Sequence, residues 1–334
     1  YLRYYKYMKN AFITGASGHL GSCLVRYLLK DNWTVKCLIN NDIRSIDGLD
    51  VEKIYVSIFD EHSLAEAMIG CDVVFHLAAI IAQEKVDYKN MKKVNVGGTK
   101  SICNAALKSK VNKLIYFSSI HAFNQFPYKT VLDEKRKLVD TQSASSYDLT
   151  KAMAQKEVYK AVEKGLDASI LHPTGVIGPY DYKPSRMGQM ILDIKNKRMP
   201  LAIKAGYNWV DVRDVCSAAI KCVRHGKKGQ NYIISGRWQS FKDLSIIIQE
   251  KIDKKIYYGE IPFLFLYIIL PFSKMWSLLT KKRELINLGS IYTLKNQCLK
   301  ISYELAKNEL NHKPRSIHST ISDTISWFDS EYDI

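Results

Sequence analysis

An α/β protein built on a doubly wound parallel sheet is predicted by three features of the sequence. Short apolar runs alternate with helix-length segments through the first half, a glycine-rich turn follows the first run, and Tyr147 and Lys151 stand four residues apart in a later helical segment. Strands separated by helices of this length pair in parallel through right-handed crossovers, which lay helices on both faces.

The elements follow in order. AFIT (11–14) reads as the first strand, a helix runs from about Gly18 to Lys30, and VKCLI (35–39) is the second strand. A short strand near IYV (54–56), a helix after Asp60, the strand VVFHLA (73–78), a long helix over 88–109 and the strand KLIYFSS (113–119) complete the alternation. The helix carrying Tyr147 runs to about Lys164 and leads into ASILHP (168–173). Beyond it the pattern loosens, with prolines at 173, 179, 184 and 200. Such segments follow the carboxyl ends of sheet strands, where an α/β fold builds its ligand site. Residues 8–173 are therefore read as mainly the sheet domain and 174–334 as mainly a smaller C-terminal substrate-binding region, with 211–234 returning to the sheet.

TGASGHLG (14–21) places Gly15, Gly18 and Gly21 at three-residue spacing. The first glycine permits a tight turn, the second lets backbone N–H groups approach a pyrophosphate at a helix amino end, and the third allows close helix–strand packing. Ser17, His19 and Leu20 belong to the same turn. A dinucleotide seat of the Rossmann type is the expectation.

Tyr147 and Lys151 share one helix face. A phenol has an ordinary pKa of about 10 and needs help to exchange protons near neutrality. A cation one turn away favours the phenolate and can also hold a ribose. Ser119 ends the strand IYFSS, where a hydroxyl can hydrogen-bond a reacting oxygen. Ser118 is the competing residue, expected to point the other way because strand side chains alternate. The combination points to nicotinamide redox chemistry.

Composition narrows the classes. A formal charge of +16 fits anionic partners in general, yet the lysines are scattered and no basic block is interleaved with aromatics, so a nucleic-acid partner is not expected. The seven cysteines form no CxxC pair and read as small buried hydrophobes of a reducing compartment; no metal site is expected. The amino end lacks an apolar core of signal-peptide length, and Met8 precedes the first strand, which points to the cytoplasm.

IPFLFLYIILPFSKMWSLL (261–279) is apolar over nearly a bilayer's thickness, but Pro262, Pro271 and Lys274 interrupt it. A lid or core helix of the substrate region and an interfacial helix in peripheral contact with a membrane, aided by Lys281, Lys282 and Arg283, both remain open; a spanning helix is disfavoured.

With VVFHLAA (73–79), VNVGGT (94–99), YFSSIHAF (116–123), YDLTK (147–151), HPTGVIGP (172–179) and WVDVRDV (209–215), the chain resembles the extended short-chain dehydrogenases/reductases, the NAD-dependent epimerase/dehydratase group, from Met8 onward. Within that group it is most similar to dihydroflavonol-4-reductase-like and 3β-hydroxysteroid-dehydrogenase-like members. The resemblance implies a catalytic Ser119, Tyr147 and Lys151, with Asn95 as a fourth member of a proton relay or as a buried polar support. It implies that Leu77, Ala78 and Ala79 line the cofactor cleft and that Pro173 to Val176 pass near the nicotinamide. His76 reads as a satisfied core histidine. A homodimer through helices such as 88–109 and 146–164 is a further expectation.

Two departures bear on the cofactor. Ile39 stands where an NAD-preferring member carries an acid and Asn40 where an NADP-preferring member often carries arginine; with no carboxylate at that strand end and Arg44 nearby, NADP is expected, NAD being the alternative. Ser57 replaces a usual adenine-facing aspartate, which leaves the contact to neighbours such as Ile58. The expected activity is a reductase or dehydrogenase acting on a secondary alcohol or ketone of a small hydrophobic or polycyclic substrate. The alternatives are a sugar epimerase/dehydratase, with Lys183, Arg186 or Arg213 meeting a diphosphate, and a binding protein that has kept only the fold.

Overall fold

The computed structural model describes residues 9–81, 87–140, 144–280 and 288–332. Met8, the segment before it, and Lys281, Lys282 and Arg283 lie outside the described residues.

In chain order the first half runs β1 (Asn10–Thr14), α1 (His19–Lys30), β2 (Thr34–Leu38), β3 (Glu52–Ile54), α2 (Glu61–Ala67) and β4 (Val73–His76). It continues with α3 (Tyr88–Lys92), α4 (Thr99–Lys108), β5 (Lys113–Phe117), α5 (Ser146–Glu163) and β6 (Ala168–Pro173). The second half comprises β7 (Gly175–Ile177), α6 (Arg186–Lys195), β8 (Leu201–Ile203), β9 (Gly206–Asp211), α7 (Val212–His225), β10 (Asn231–Ile234), β11 (Arg237–Ser240) and α8 (Phe241–Ile252). After these come β12 (Gly259–Ile261), α9 (Phe265–Thr280), α10 (Leu288–Lys295), α11 (Glu304–Leu310) and α12 (Ile317–Tyr332).

Among the described residues seven strands form one parallel sheet in the order β3-β2-β1-β4-β5-β6-β10. The Rossmann-type prediction therefore holds. The central strands are buried along their whole length, as expected of a sheet covered on both faces. Leu24, Leu28, Val215 and Ala219 pack on one face, and Leu64, Met68, Ile102 and Val158 on the other. Each large aliphatic side chain buried in this way contributes about 1.5–3 kcal/mol. Lys113 is tolerated buried at the start of β5 because its ammonium donates to Asp167 and to the carbonyl of Gly226, both at 2.7 Å.

Three details depart from the sequence expectation. The third strand ends at Ile54 rather than spanning 54–56, because its register is set by Leu38 opposite Ile54 on β2. The long helix over 88–109 is interrupted at Lys93–Gly98 by a π-turn, which Gly97 and Gly98 accommodate; a side chain at Gly98 would press on Ile58. The apolar run at 261–279 divides into the end of β12 and α9.

β10 lies beside β6, so the chain returns to the main sheet after β9. The C-terminal α11 returns as well, with Ala306 and Leu310 entering the same core cluster as α7. A third cluster, including Ile191, Trp209, Leu244, Ile248 and Ile325, makes the smaller lobe with a three-stranded and a two-stranded sheet. Asp214 pairs with Arg315 and Asp211 accepts from Thr320 at 2.8 Å, which ties the last segment to the junction of the two parts.

Candidate active site

The strand order reverses between β1 and β4, and a doubly wound sheet opens a crevice at that point, beyond the carboxyl ends of its strands. Here the chain leaves β1 through Gly15 with φ at 73°, a left-handed conformation that glycine adopts without strain. A Cβ on Gly15 would stand 2.8 Å from the Ala78 backbone nitrogen, and one on Gly21 would collide with the Gly15 carbonyl oxygen. Gly18 caps α1 with no side chain over its first N–H groups. This cradle fits the pyrophosphate of a dinucleotide, since Gly18 puts no side chain over the amino end of α1 and leaves its first N–H groups uncapped. Gly21→Ala is expected to destabilise the protein by about 1–3 kcal/mol through overpacking. Thermal unfolding without ligand checks it, and an unchanged Tm would mean that the turn yields easily.

The walls of the crevice are held by buried polar contacts. Thr14 Oγ1 lies 2.7 Å from His76 Nδ1 and accepts from the Ala78 N–H at 3.1 Å, while His76 Nε2 is 2.9 Å from Thr99 Oγ1. Burial pushes the His76 imidazole down to about 3, so it is a neutral structural link.

The other cofactor-side residues take varied positions. Ser17 offers its carbonyl to Ser45, and Leu20 and Leu77 pack against the core cluster. His19 Nε2 is 3.0 Å from the Pro179 carbonyl, which turns this side chain toward the segment after β7. Asn40 is exposed, Ile58 is half-buried beside the π-turn, and Ala78 and Ala79 are half-buried just past β4. Pro173 is buried at the end of β6, and Val176 pairs with Val210 in the small sheet. Arg44 is bound by both carboxylate oxygens of Asp42, at 2.9 and 2.6 Å. These bonds hold the exposed Asp42 carboxyl down at about 2. A carboxylate therefore does stand near this edge of the crevice, two residues past Asn40, where sequence reasoning saw only the arginine.

On the side of the crevice toward α5 the structure brings Ser119 near Tyr147, close enough for its hydroxyl to favour the phenolate, while Ser119 Oγ accepts from the His121 N–H at 3.2 Å. Ser119 is positioned by the end of β5, and α5 is started by Ser145, whose hydroxyl accepts from the Asp148 N–H at 3.2 Å. Ser118, expected to point away, instead donates to Gln155 at 3.0 Å, on α5 two turns beyond Tyr147. Burial pushes the Tyr147 phenol up to about 12, only partly offset by the nearby Ser119 hydroxyl. The expected help from Lys151 takes a different form. Its ammonium lies over the Tyr116 ring, 5.1 Å from the centroid, and donates to the Phe117 carbonyl at 2.7 Å. Burial pushes this amine down to about 7.

Asn95, buried in the π-turn, accepts from the Ile80 N–H at 2.7 Å and donates to the Ile80 carbonyl and to Thr150 Oγ1 at 3.0 and 3.1 Å. Its amide thus clamps the chain beyond β4 to α5 next to Tyr147. Two residues that sequence reasoning passed over also border the phenol. The His121 ring meets Tyr147 edge-on with centroids 6.4 Å apart, and its Nδ1 is 3.8 Å from Asp148. The local signal was the position of His121, two residues after Ser119. Arg213 is held by Asp211 and Asp323 at 2.6 and 2.7 Å. All seven cysteines are free and buried, and among the described residues no cluster of three or more histidine, cysteine or acidic side chains has the makings of a metal site.

Residues 11–235 match the model of the NAD dependent epimerase/dehydratase family. Sterol demethylase protein B of Methylococcus capsulatus is 31% identical over 226 residues, covering 67% of this chain and 69% of that protein. The bifunctional dihydroflavonol 4-reductase/flavanone 4-reductase of Pyrus communis is 28% identical over 262 residues, 72% of this chain and 75% of that one. The crystal structure of gox2253 superposes with a TM-score of 0.83 at 29% identity, covering 98% of this chain and 99% of that one.

Proposed function

Because the chain belongs to the NAD-dependent epimerase/dehydratase family, we propose that it is a nicotinamide-dependent reductase that interconverts a ketone and a secondary alcohol on an apolar, polycyclic substrate. The observation that carries this reading is the placing of Ser119, at the end of β5, near Tyr147 on α5, at the carboxyl edge of the sheet that holds the glycine cradle. A dinucleotide held by Gly15, Gly18 and Gly21 supplies or accepts hydride. Tyr147, a neutral phenol at physiological pH, donates its proton to the carbonyl oxygen as negative charge develops there. Ser119 polarises the same oxygen, and Lys151, anchored on the Phe117 carbonyl, supplies the cation of this end of the sheet. Relatives named for sterol and dihydroflavonol chemistry support an apolar substrate. The commitment of Arg213 to two carboxylates weighs against its meeting the diphosphate of a sugar nucleotide.

Oxidation of NADPH or NADH by purified protein, followed across a panel of apolar ketones, tests the assignment. Consumption with at least one ketone is expected. Inertness toward all of them, together with conversion of a sugar nucleotide without net cofactor change, would establish the epimerase/dehydratase alternative.

NADP is the proposed cofactor, with Arg44 as the group that meets the 2′-phosphate. Asp42 competes for the same guanidinium, so Asp42→Asn is expected to improve the NADPH/NADH preference by about threefold, the scale of an exposed ion pair. Cofactor titrations of both proteins provide the measurement, and an unchanged ratio would remove Arg44 from the cofactor site.

A further inference from the structure

We propose that α9 docks this protein on an anionic membrane surface, lying in the plane of the lipid headgroups. The helix is amphipathic in the reverse sense to a helix packed on a protein core. Phe265, Ile268, Phe272, Met275 and Leu279 recur at spacings of three and four and form one stripe, and all are exposed to solvent. The opposite stripe, turned toward the protein, holds Leu266 and Leu270 but also Ser273, which is 2% exposed, and half-buried Ser277. Leu279 is 76% exposed and its neighbour Leu278 74%. Aqueous folding alone would sort these residues the other way, because an exposed apolar stripe gains nothing until something other than water covers it.

The charge pattern selects a lipid surface as the cover. Over 261–300 the basic residues are Lys274, Lys281, Lys282, Arg283, Lys295 and Lys300, against Glu284 as the single acid. Lys274 is exposed on α9 itself, and Lys295 lines a surface hollow with Tyr267 and Tyr292, aromatic rings of the type that settle at headgroup level. Exposed apolar side chains flanked by lysines fit an interfacial helix on anionic lipid. Among the described residues no helix is long and apolar enough to cross a membrane, which leaves the in-plane arrangement. This docking is independent of which ketone the active site takes.

Sedimentation of the full-length protein with vesicles of phosphatidylcholine, alone or mixed with phosphatidylglycerol, tests the proposal. The protein is expected to pellet with the mixed vesicles, less with phosphatidylcholine alone, and less again at high salt. The double variant Phe272→Glu, Leu279→Glu should lose about tenfold or more of this binding while keeping its Tm and NADPH affinity, because both side chains face solvent. Failure to pellet with the mixed vesicles, or undiminished binding by the double variant, would overturn the proposal. So would a dimer in solution that the same substitutions dissolve without any lipid binding, since a second copy would then be the cover.

Discussion

Tyr147→Phe is expected to lower the turnover of ketone reduction by about 10²–10⁴-fold, the usual worth of a positioned general acid, while NADPH binding stays close to that of the parent. The substitution removes one oxygen from a ring whose edge already packs against His121, so the fold has little to lose. What disappears is the proton source. Because burial holds the phenol at about 12, the parent enzyme carries that proton throughout the neutral range, and reduction should show little dependence on Tyr147 ionisation below that value. Alcohol oxidation requires the phenolate instead. Its rate should therefore rise about tenfold per pH unit toward 12, and that limb should be missing in Tyr147→Phe. Stopped-flow measurement of NADPH consumption and a pH series in both directions would check these outcomes. A variant within tenfold of the parent in turnover would assign the proton to another donor, such as His121 beside the phenol.

Much of this site was legible in the sequence because its parts are local. Three glycines within seven residues specify a turn whatever lies around it, and Tyr147 and Lys151 share a helix face by periodicity alone. Alternation along β5 did not separate Ser118 from Ser119, because the turn after Phe117 brings Ser118 to Gln155 on the same helix as Tyr147. Contacts between distant segments were not legible. Helical spacing puts Lys151 near Tyr147 but does not reveal that its ammonium reaches the Phe117 carbonyl, because that depends on how α5 packs across β5. The Asn95 clamp from Ile80 to Thr150 joins three separate segments, and no local pattern announces it. Asp42 sits two residues from Arg44 and was visible, yet only the folded loop shows the two in contact. For α9, hydrophobicity marked an unusual segment, but which side faces water follows only from its docking on the smaller lobe.

Lys151→Met is expected to move stability and activity in opposite directions. In the unfolded chain the amine titrates at its ordinary value of about 10.5, whereas in the folded protein burial depresses it to about 7. Between these values the unfolded state binds the extra proton, so the lysine makes the parent less stable as pH falls through that window, and the penalty is complete below about 7. Methionine has a similar length and carries no charge into the interior. The variant should therefore be more stable than the parent near pH 6 by about 1–3 kcal/mol, after the lost bond to the Phe117 carbonyl is counted against the relief of a buried charge. The difference should shrink steadily toward pH 10, where both proteins bury a neutral side chain. Urea unfolding of the pair at several pH values isolates this group, because every other titration is common to both. Ketone reduction should fall by about 10²–10³-fold in the same variant, as the cation held on the Phe117 carbonyl at the end of β5 is gone. A lysine that merely filled space would give the stability gain without the loss of rate. A residue kept at a cost to the fold and needed for turnover is what an active site predicts, and the paired measurement distinguishes the two.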